Sequence, residues 1–403
     1  MVEIVESSKL YKDDKDKMHQ FIPKEFQFLK ETKKIKYGEI NLKTDYIINI
    51  MNELIMKYLV ANDITFNLWS LILRKKYGKY YNKYFQWLID NKFIYLVSNY
   101  YVGKKCKTYK INGEFLKNIN RVFIDDKIIL KKYTKEYLNQ SFLYFTKSPI
   151  DFNVREKLAE YLYSVNLDYE PAFEYIQDNK KYMSNNQYMK NMSSIDSINT
   201  GHIFFKFDEY GRMHTNFTIL KKDIRKKYLK IDGEEIEEID IKNSQPLFLS
   251  KLLVEEIEIE NFNKECFRFI DLVKNGLIYD ELIEKIESLN NRKTAKILMY
   301  KVLFGNNNEK QKWNKEFKKV FPTIYEYIRE IKSMDKSYKE MSHILQKMES
   351  EFIFNKVIKT IIEKIPEVKL FTIHDSIVFQ KKYLPEISVI FNNFLKKELD
   401  FLK

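Results

Sequence analysis

The chain has 403 residues, enough for two or three domains with cores of their own, and a composition of 44% hydrophobic and 15% aromatic residues excludes wholesale disorder. The net charge of +13 is spread along the chain, which favours a polyanionic partner, nucleic acid first, although a genome biased toward Lys, Ile and Asn codons gives the same balance. Two cysteines, Cys106 and Cys266, are too few for a disulfide framework or a zinc site, and no apolar run approaches the roughly 20 residues of a membrane span, so a cytoplasmic protein is expected.

Residues 1 to 44 are Lys-rich and weakly periodic and read as a basic N-terminal arm. From Asp45 the apolar spacing Ile47, Ile48, Met51, Leu54, Ile55 and Tyr58 predicts a helix. Thr65 as a cap before Leu68, Trp69, Leu71 and Ile72 predicts a second, and Tyr80, Tyr84, Trp87 and Leu88 mark a third. Two strands follow, Phe93 to Val97 and Lys107 to Ile111, joined by a basic turn. Three helices and a basic hairpin over residues 45 to 115 resemble a winged helix-turn-helix domain. That resemblance implies DNA contact through Lys75, Lys76, Lys79 and Lys83 on or before the third helix, and through Lys104 and Lys105 on the wing. Winged helices also dock proteins, so the local lysine density is what favours DNA.

Residues 116 to 200 read as mostly helical, broken at Pro149 and Pro171, with the polar stretch Lys180 to Thr200 as the best candidate for a linker or mobile loop. Strand character returns at Ile203 to Phe207. Asp232-Gly233 is a strong hairpin turn leading into the strand Ile236 to Ile241, which ends in a carboxylate, Asp240. Helical periodicity dominates from Gln245 to about Lys364, and a last helix runs from Leu384 to Leu402. Between these lies Phe371-Thr372-Ile373-His374-Asp375-Ser376-Ile377-Val378-Phe379, an apolar run with a polar break that predicts a tight hairpin with Asp375 at its tip. The commonplace alternative is a solvated turn aspartate.

Two acidic strand ends and a basic helix suit phosphoryl transfer, which needs divalent cations on the attacking and leaving oxygens and positive charge on the phosphates. On that helix Arg292, Lys296, Tyr300 and Phe304 recur every four residues and form one slowly winding stripe. A solvated basic face and core aromatics are the alternatives for these residue types at this spacing.

Arg292-x-x-x-Lys296-x-x-x-Tyr300-x-x-x-Phe304-Gly305 resembles motif B of the family A DNA polymerases and of the single-subunit, phage-type RNA polymerases. The Asp240 strand is similar to their motif A, and Ile373-His374-Asp375-Ser376 to their motif C, in the family order. Gly211-Arg212, with Arg225 beyond it, resembles the segment before motif A, and Gln346 resembles the glutamine that reaches the minor groove at the primer end. The resemblance covers about residues 200 to 403. It implies two Mg2+ ions, or Mn2+, on Asp240, Asp375 and the carbonyl of Ile241. Arg292 and Lys296 would grip a nucleoside triphosphate, and Tyr300, Phe304 and Gly305 would shape the nucleotide pocket. His374, Arg212, Arg225 and Gln346 would hold primer and template.

The implied fold is α+β and predominantly helical. It is a right hand with a small antiparallel palm sheet (residues 200 to 250 and 366 to 403), helical fingers (about 262 to 345) and a reduced thumb (116 to 200), after the N-terminal winged helix. Gln245 stands where the DNA polymerases carry a glutamate that blocks a ribose 2'-OH, and Phe304 stands where both relatives usually carry tyrosine. The expectation is therefore a small DNA polymerase without proofreading, acting on primer-template DNA and nucleoside triphosphates. An RNA polymerase or primase is the alternative within the class, and a non-catalytic DNA-binding replication or regulatory protein the alternative outside it.

Overall fold

The computed structural model describes residues 18–61, 65–68, 70–101, 106–132, 148–257, 262–334 and 338–400. The fold is α+β, about 60% helical, with small antiparallel sheets. Among the described residues no helix is long and apolar enough to cross a membrane. The chain divides into two compact units that interleave in sequence. One holds residues up to 142, 165–204 and 215–230; the other holds 143–164, 205–214 and 231–403. These limits differ from the expected boundaries at 116 and 200, because each unit gathers segments from several parts of the chain.

In the first unit the expected arm is structured from residue 18 onward. Met18–Pro23 pairs antiparallel with Ile119–Ile124, and Phe21, Ile22, Phe26 and Leu29 are buried. Residues 116 to 200 are thus not uniformly helical; their first segment is this partner strand. The helix Thr44–Ala61 is anchored by two buried polar side chains. Asn52 accepts from the Phe21 amide at 2.8 Å, and Asn49 donates to the Tyr77 hydroxyl at 2.8 Å.

Thr65 does not cap a helix. Thr65–Leu68 is a strand with alternating exposure, and the helix follows at Ser70–Tyr77. A threonine serves as cap or as β-branched strand residue, and the period of two through Phe66 and Leu68 decides for the strand. The third helix is Tyr81–Asp90, burying Tyr84, Phe85, Trp87 and Leu88. Strands Ile94–Ser98 and Lys107–Ile111 complete a three-stranded antiparallel sheet in which Lys107–Ile111 lies between Thr65–Leu68 and Ile94–Ser98.

Lys180 to Thr200, expected as a loop, is mostly helix. Asn185–Asn199 starts at a Ser184/Gln187 capping box and buries Met189, Met192, Ile195 and Ile198. Its polar residues bond locally: Asn191 donates to the Gln187 carbonyl, Ser197 to that of Ser193 and Thr200 to that of Asp196. Asp196, buried within it, accepts from Arg121 and Tyr169.

In the second unit Leu370–Ile373, Ser376–Gln380 and Glu234–Asp240 form an antiparallel sheet with Ser376–Gln380 between the other two. All five residues of that middle strand are buried, which explains the consecutive apolar Ile377, Val378 and Phe379 at its centre. The expected hairpin is present, closed by a two-residue turn, His374-Asp375, with His374 at φ 56. The Asp232-Gly233 turn has positive φ at both residues, the signature of a type I' connection. Apart from the short strands Phe205–Phe207 and Met213–Thr215, helices dominate the rest, from Ser244–Glu256 to the final Leu384–Asp400. The helix Glu340–Ser350 runs directly into a π-helical stretch, Glu351–Ile358.

Replacing Ser184 with Ala removes the acceptor for the Gln187 amide. Equilibrium urea unfolding of this variant is expected to show a loss of about 1 kcal/mol. An unchanged midpoint would mean that the capping box contributes nothing.

Candidate active site

Asp240 ends its strand directly opposite Ser376, the residue after Asp375, so the two aspartates occupy adjoining positions at one end of this strand pair. They come from segments 135 positions apart in sequence. Asp240 is exposed; Asp375 is half-buried. Burial first, then the negative charges of Glu349 and Asp240, push the Asp375 carboxyl up from 3.8 to about 6, against a lowering pull from Lys296. The Ser376 hydroxyl lies 2.8 Å from both the Glu238 carboxylate and the Ile373 carbonyl, which ties the turn to the neighbouring strand. Ile241, next to Asp240, is buried, and the backbone then turns through Asn243 at φ 56 into the helix beginning at Ser244.

The helix Arg292–Phe304 opens on an Asn291/Thr294 capping box and carries the expected stripe. The Lys296 ammonium lies 5.4 Å from the Tyr300 ring centroid, and the Tyr300 and Phe304 rings are 5.5 Å apart. Ala295, Leu298, Met299 and Val302 bury the opposite side, so the stripe is the face left to other work. Tyr300 is half-buried, and its hydroxyl is held above its ordinary pKa chiefly by burial, with Asp375 and Glu349 also raising it. Lys296 and Tyr300 are thereby near the acids. Arg292 is engaged elsewhere: it pairs with Asp280 at 2.5 Å and donates to the Gly276 carbonyl at 3.0 Å. Gly305 closes the helix, and a side chain there would meet the Lys301 carbonyl oxygen at 2.4 Å.

Glu349 was missed in the sequence. It is buried, accepting from Arg212 at 2.6 Å, from the Gln245 amide at 2.7 Å and from the Ser244 hydroxyl. Gln245 is therefore 4% exposed and occupied by a protein carboxylate through its amide nitrogen. Its carbonyl oxygen is a buried acceptor without a partner among the described residues. Arg212 is likewise held by protein. It follows Gly211, whose φ of +89 and whose close approach to Ser350, where a Cβ would come within 2.8 Å of the serine Cβ, leave room for glycine alone. Tyr279 is a second omission; its burial raises its hydroxyl pKa, and Tyr300, Arg292 and Asp375 all act on it. Its place three residues after Gln346 on one helix puts the two side chains of Glu349 and Gln346 near each other, but that spacing does not mark Glu349 as buried.

Of the remaining expected residues, His374 is exposed in the turn and Gln346 is half-buried on the Glu340–Ser350 helix. Arg225 belongs to the first unit, where it donates to the Leu220 carbonyl. Also in that unit, Lys75, Lys79 and Lys83 are exposed, while Lys76 is paired with Glu53. Lys104 and Lys105 lie outside the described residues.

Among the described residues no group of three or more His, Cys, Asp or Glu side chains forms a ready-made metal cage. The adjoining Asp240 and Asp375 offer hard oxygen donors. An ion there would complete its shell with main-chain oxygen, water or ligand phosphate, as Mg2+ commonly does. No protein-family model matches the chain, and no curated protein matches its sequence.

Folded Asp375 keeps its proton up to about pH 6, whereas the unfolded chain releases it near 3.8, so this group makes stability fall as pH rises through that window. In metal-free buffer near neutral pH, Asp375→Asn is expected to be more stable than the parent by on the order of 2 kcal/mol. The difference should vanish by about pH 4, and thermal melts at both pH values check this. Glu349→Ala, which strands Arg212 without its carboxylate, is expected to cost about 3–5 kcal/mol in the same assay.

Proposed function

We propose that the second unit is a template-directed nucleotidyltransferase of the type its motifs resemble, the family A DNA polymerases and single-subunit RNA polymerases. The observation that carries this reading is the meeting of Asp240 and Asp375 at adjoining strand positions, with Lys296 and Tyr300 in electrostatic reach of Asp375. A solvated turn aspartate does not account for the half-burial of Asp375 or for Asp240 at the adjoining strand position.

In this reading the sheet Leu370–Ile373, Ser376–Gln380 and Glu234–Asp240 is the palm, and the helices between Phe262 and Leu345 are the fingers. Asp240, Asp375 and the Ile241 carbonyl would hold Mg2+, which when bound supplies charge neutralisation at the attacking and leaving oxygens. Lys296 carries a cation toward the triphosphate, and Tyr300 and Phe304 offer rings to the sugar and base. Arg292 would have to exchange Asp280 for phosphate, a change from one oxyanion partner to another. Gln245, turned toward Glu349, leaves sugar selection to groups other than its amide nitrogen. Glu349 is a positioning residue, fixing the Arg212 turn and the helix start at Ser244 beside the acids.

For residues 44 to 111 of the first unit we propose a winged helix. The support is the order helix, strand, two helices and two strands, with the last strand between the other two. The exposed Lys75, Lys79 and Lys83 suit a phosphate backbone.

Primer extension on a primed DNA template with Mg2+, supplied separately with dNTPs and NTPs, tests the enzyme. Extension with dNTPs is expected, at least about a thousandfold slower for Asp240→Asn and Asp375→Asn, since electrostatic stabilisation of this kind is worth factors of this order. Lys296→Ala is expected to raise the KM for nucleotide. Activity should fall as pH drops, because protonation of Asp375 competes with the metal for the same oxygens, and raising Mg2+ should move that fall to lower pH. Extension with NTPs alone would move the protein to the RNA polymerases, and full activity of Asp375→Asn would remove the catalytic reading.

A further inference from the structure

The three-stranded sheet of the first unit carries a row of exposed side chains on one face. Pairing sets Tyr95, Lys110 and Thr65 side by side across the three strands, on the face opposite the buried Ile94, Ile111, Phe66 and Tyr109. Tyr95 is 45% exposed, and Tyr100 and Tyr101, just beyond the strand, are 55% and 62% exposed. Isolated exposed apolar residues need no explanation, but three tyrosine rings within seven positions at a sheet edge do.

The charge around them is one-sided. Ser70 to Asn112 contains ten Lys and Arg residues and a single acid, Asp90. That acid is taken by the Tyr37 hydroxyl and the Gln86 amide. Among the described residues no carboxylate lies within ion-pair distance of Lys107 or Lys110, and both are exposed. A protein strand added to this edge would meet the register shift between Leu96 and Ser98, which interrupts the ladder an added strand needs. An occupant that is polyanionic and carries flat apolar rings satisfies both the charge and the tyrosines.

We propose that this sheet face binds single-stranded nucleic acid, stacking bases on Tyr95, Tyr100 and Tyr101 and drawing the phosphates to Lys110, with Lys107 on the other face of the same strand adding to the local positive charge. Duplex DNA presents phosphates but keeps its bases stacked on each other, so it uses the lysines and leaves the rings idle. The Tyr95 hydroxyl accepts from Asn112 at 3.0 Å, which fixes the ring's position and leaves its faces for stacking. The proposal is independent of the nucleotidyltransferase reading, which concerns the other unit.

The test is fluorescence anisotropy of the full chain with a labelled oligothymidine of about 20 nucleotides, longer than the ~4–16 nucleotides a comparable platform occupies. The same measurement on a duplex of equal length runs in parallel, both in EDTA so that catalysis plays no part. Single strands are expected to bind more tightly than duplex. Each of Tyr95→Ala, Tyr100→Ala and Tyr101→Ala should lower oligothymidine affinity by roughly fivefold to a hundredfold with little change for duplex. Tyr95→Phe keeps the ring and should keep the affinity. Lys110→Gln should flatten the salt dependence by about 0.7 in the slope of log affinity against log salt for each phosphate it no longer neutralises. No oligothymidine binding, or an equal loss of oligothymidine affinity in Tyr95→Phe and Tyr95→Ala, would overturn the proposal. Tyr100→Ala and Tyr101→Ala lie beyond the strand and keep the test open if Tyr95→Ala fails to fold.

Discussion

The second unit depends on what surrounds one buried negative charge. Removing a carboxylate from water costs several kcal/mol unless hydrogen bonds and a counter-charge replace its hydration. Glu349 receives a guanidinium, an amide and a hydroxyl from three residues more than 100 positions upstream. Satisfying it fixes the turn at Gly211-Arg212 and the start of the helix at Ser244 together. A second acid, Asp375, then feels its charge and that of Asp240. The site thus carries more negative charge than its own side chains balance, the condition in which a divalent cation or the cationic stripe of the neighbouring helix has most to offer.

Polar groups in this chain do much of the architectural positioning. Arg121 and Tyr169 serve Asp196 in the first unit as Arg212 serves Glu349 in the second. Asn52 and Asn49 join the first long helix to a strand and to another helix. Buried polar groups demand specific partners, so they select one arrangement among many that would bury similar apolar area.

The two catalytic candidates were legible because each ends an apolar run that reads as strand, and because a polar break between two such runs leaves few alternatives to a turn. The basic helix was legible through its four-residue spacing. Glu349 was not, because nothing local distinguishes a buried glutamate from a solvated one; its donors come from distant sequence. The same blindness made Lys180 to Thr200 look like a loop. Its Asn and Ser residues resemble turn formers, and only the fold reveals that they bond back to their own helix while Met189, Met192 and Ile195 pack inward. Thr65 was misassigned for a local reason, since a single residue type supports two structures and the short alternation after it carried the decision.

The interleaving of the two units bears on how such a chain is made. Among the described residues the polypeptide passes from one unit to the other at 164/165, 204/205, 214/215 and 230/231. The first unit cannot be completed during synthesis until residue 230 has left the ribosome, and by then stretches of the second are already waiting for their partners. Neither unit is a cassette that could be lifted out by one cut at each end.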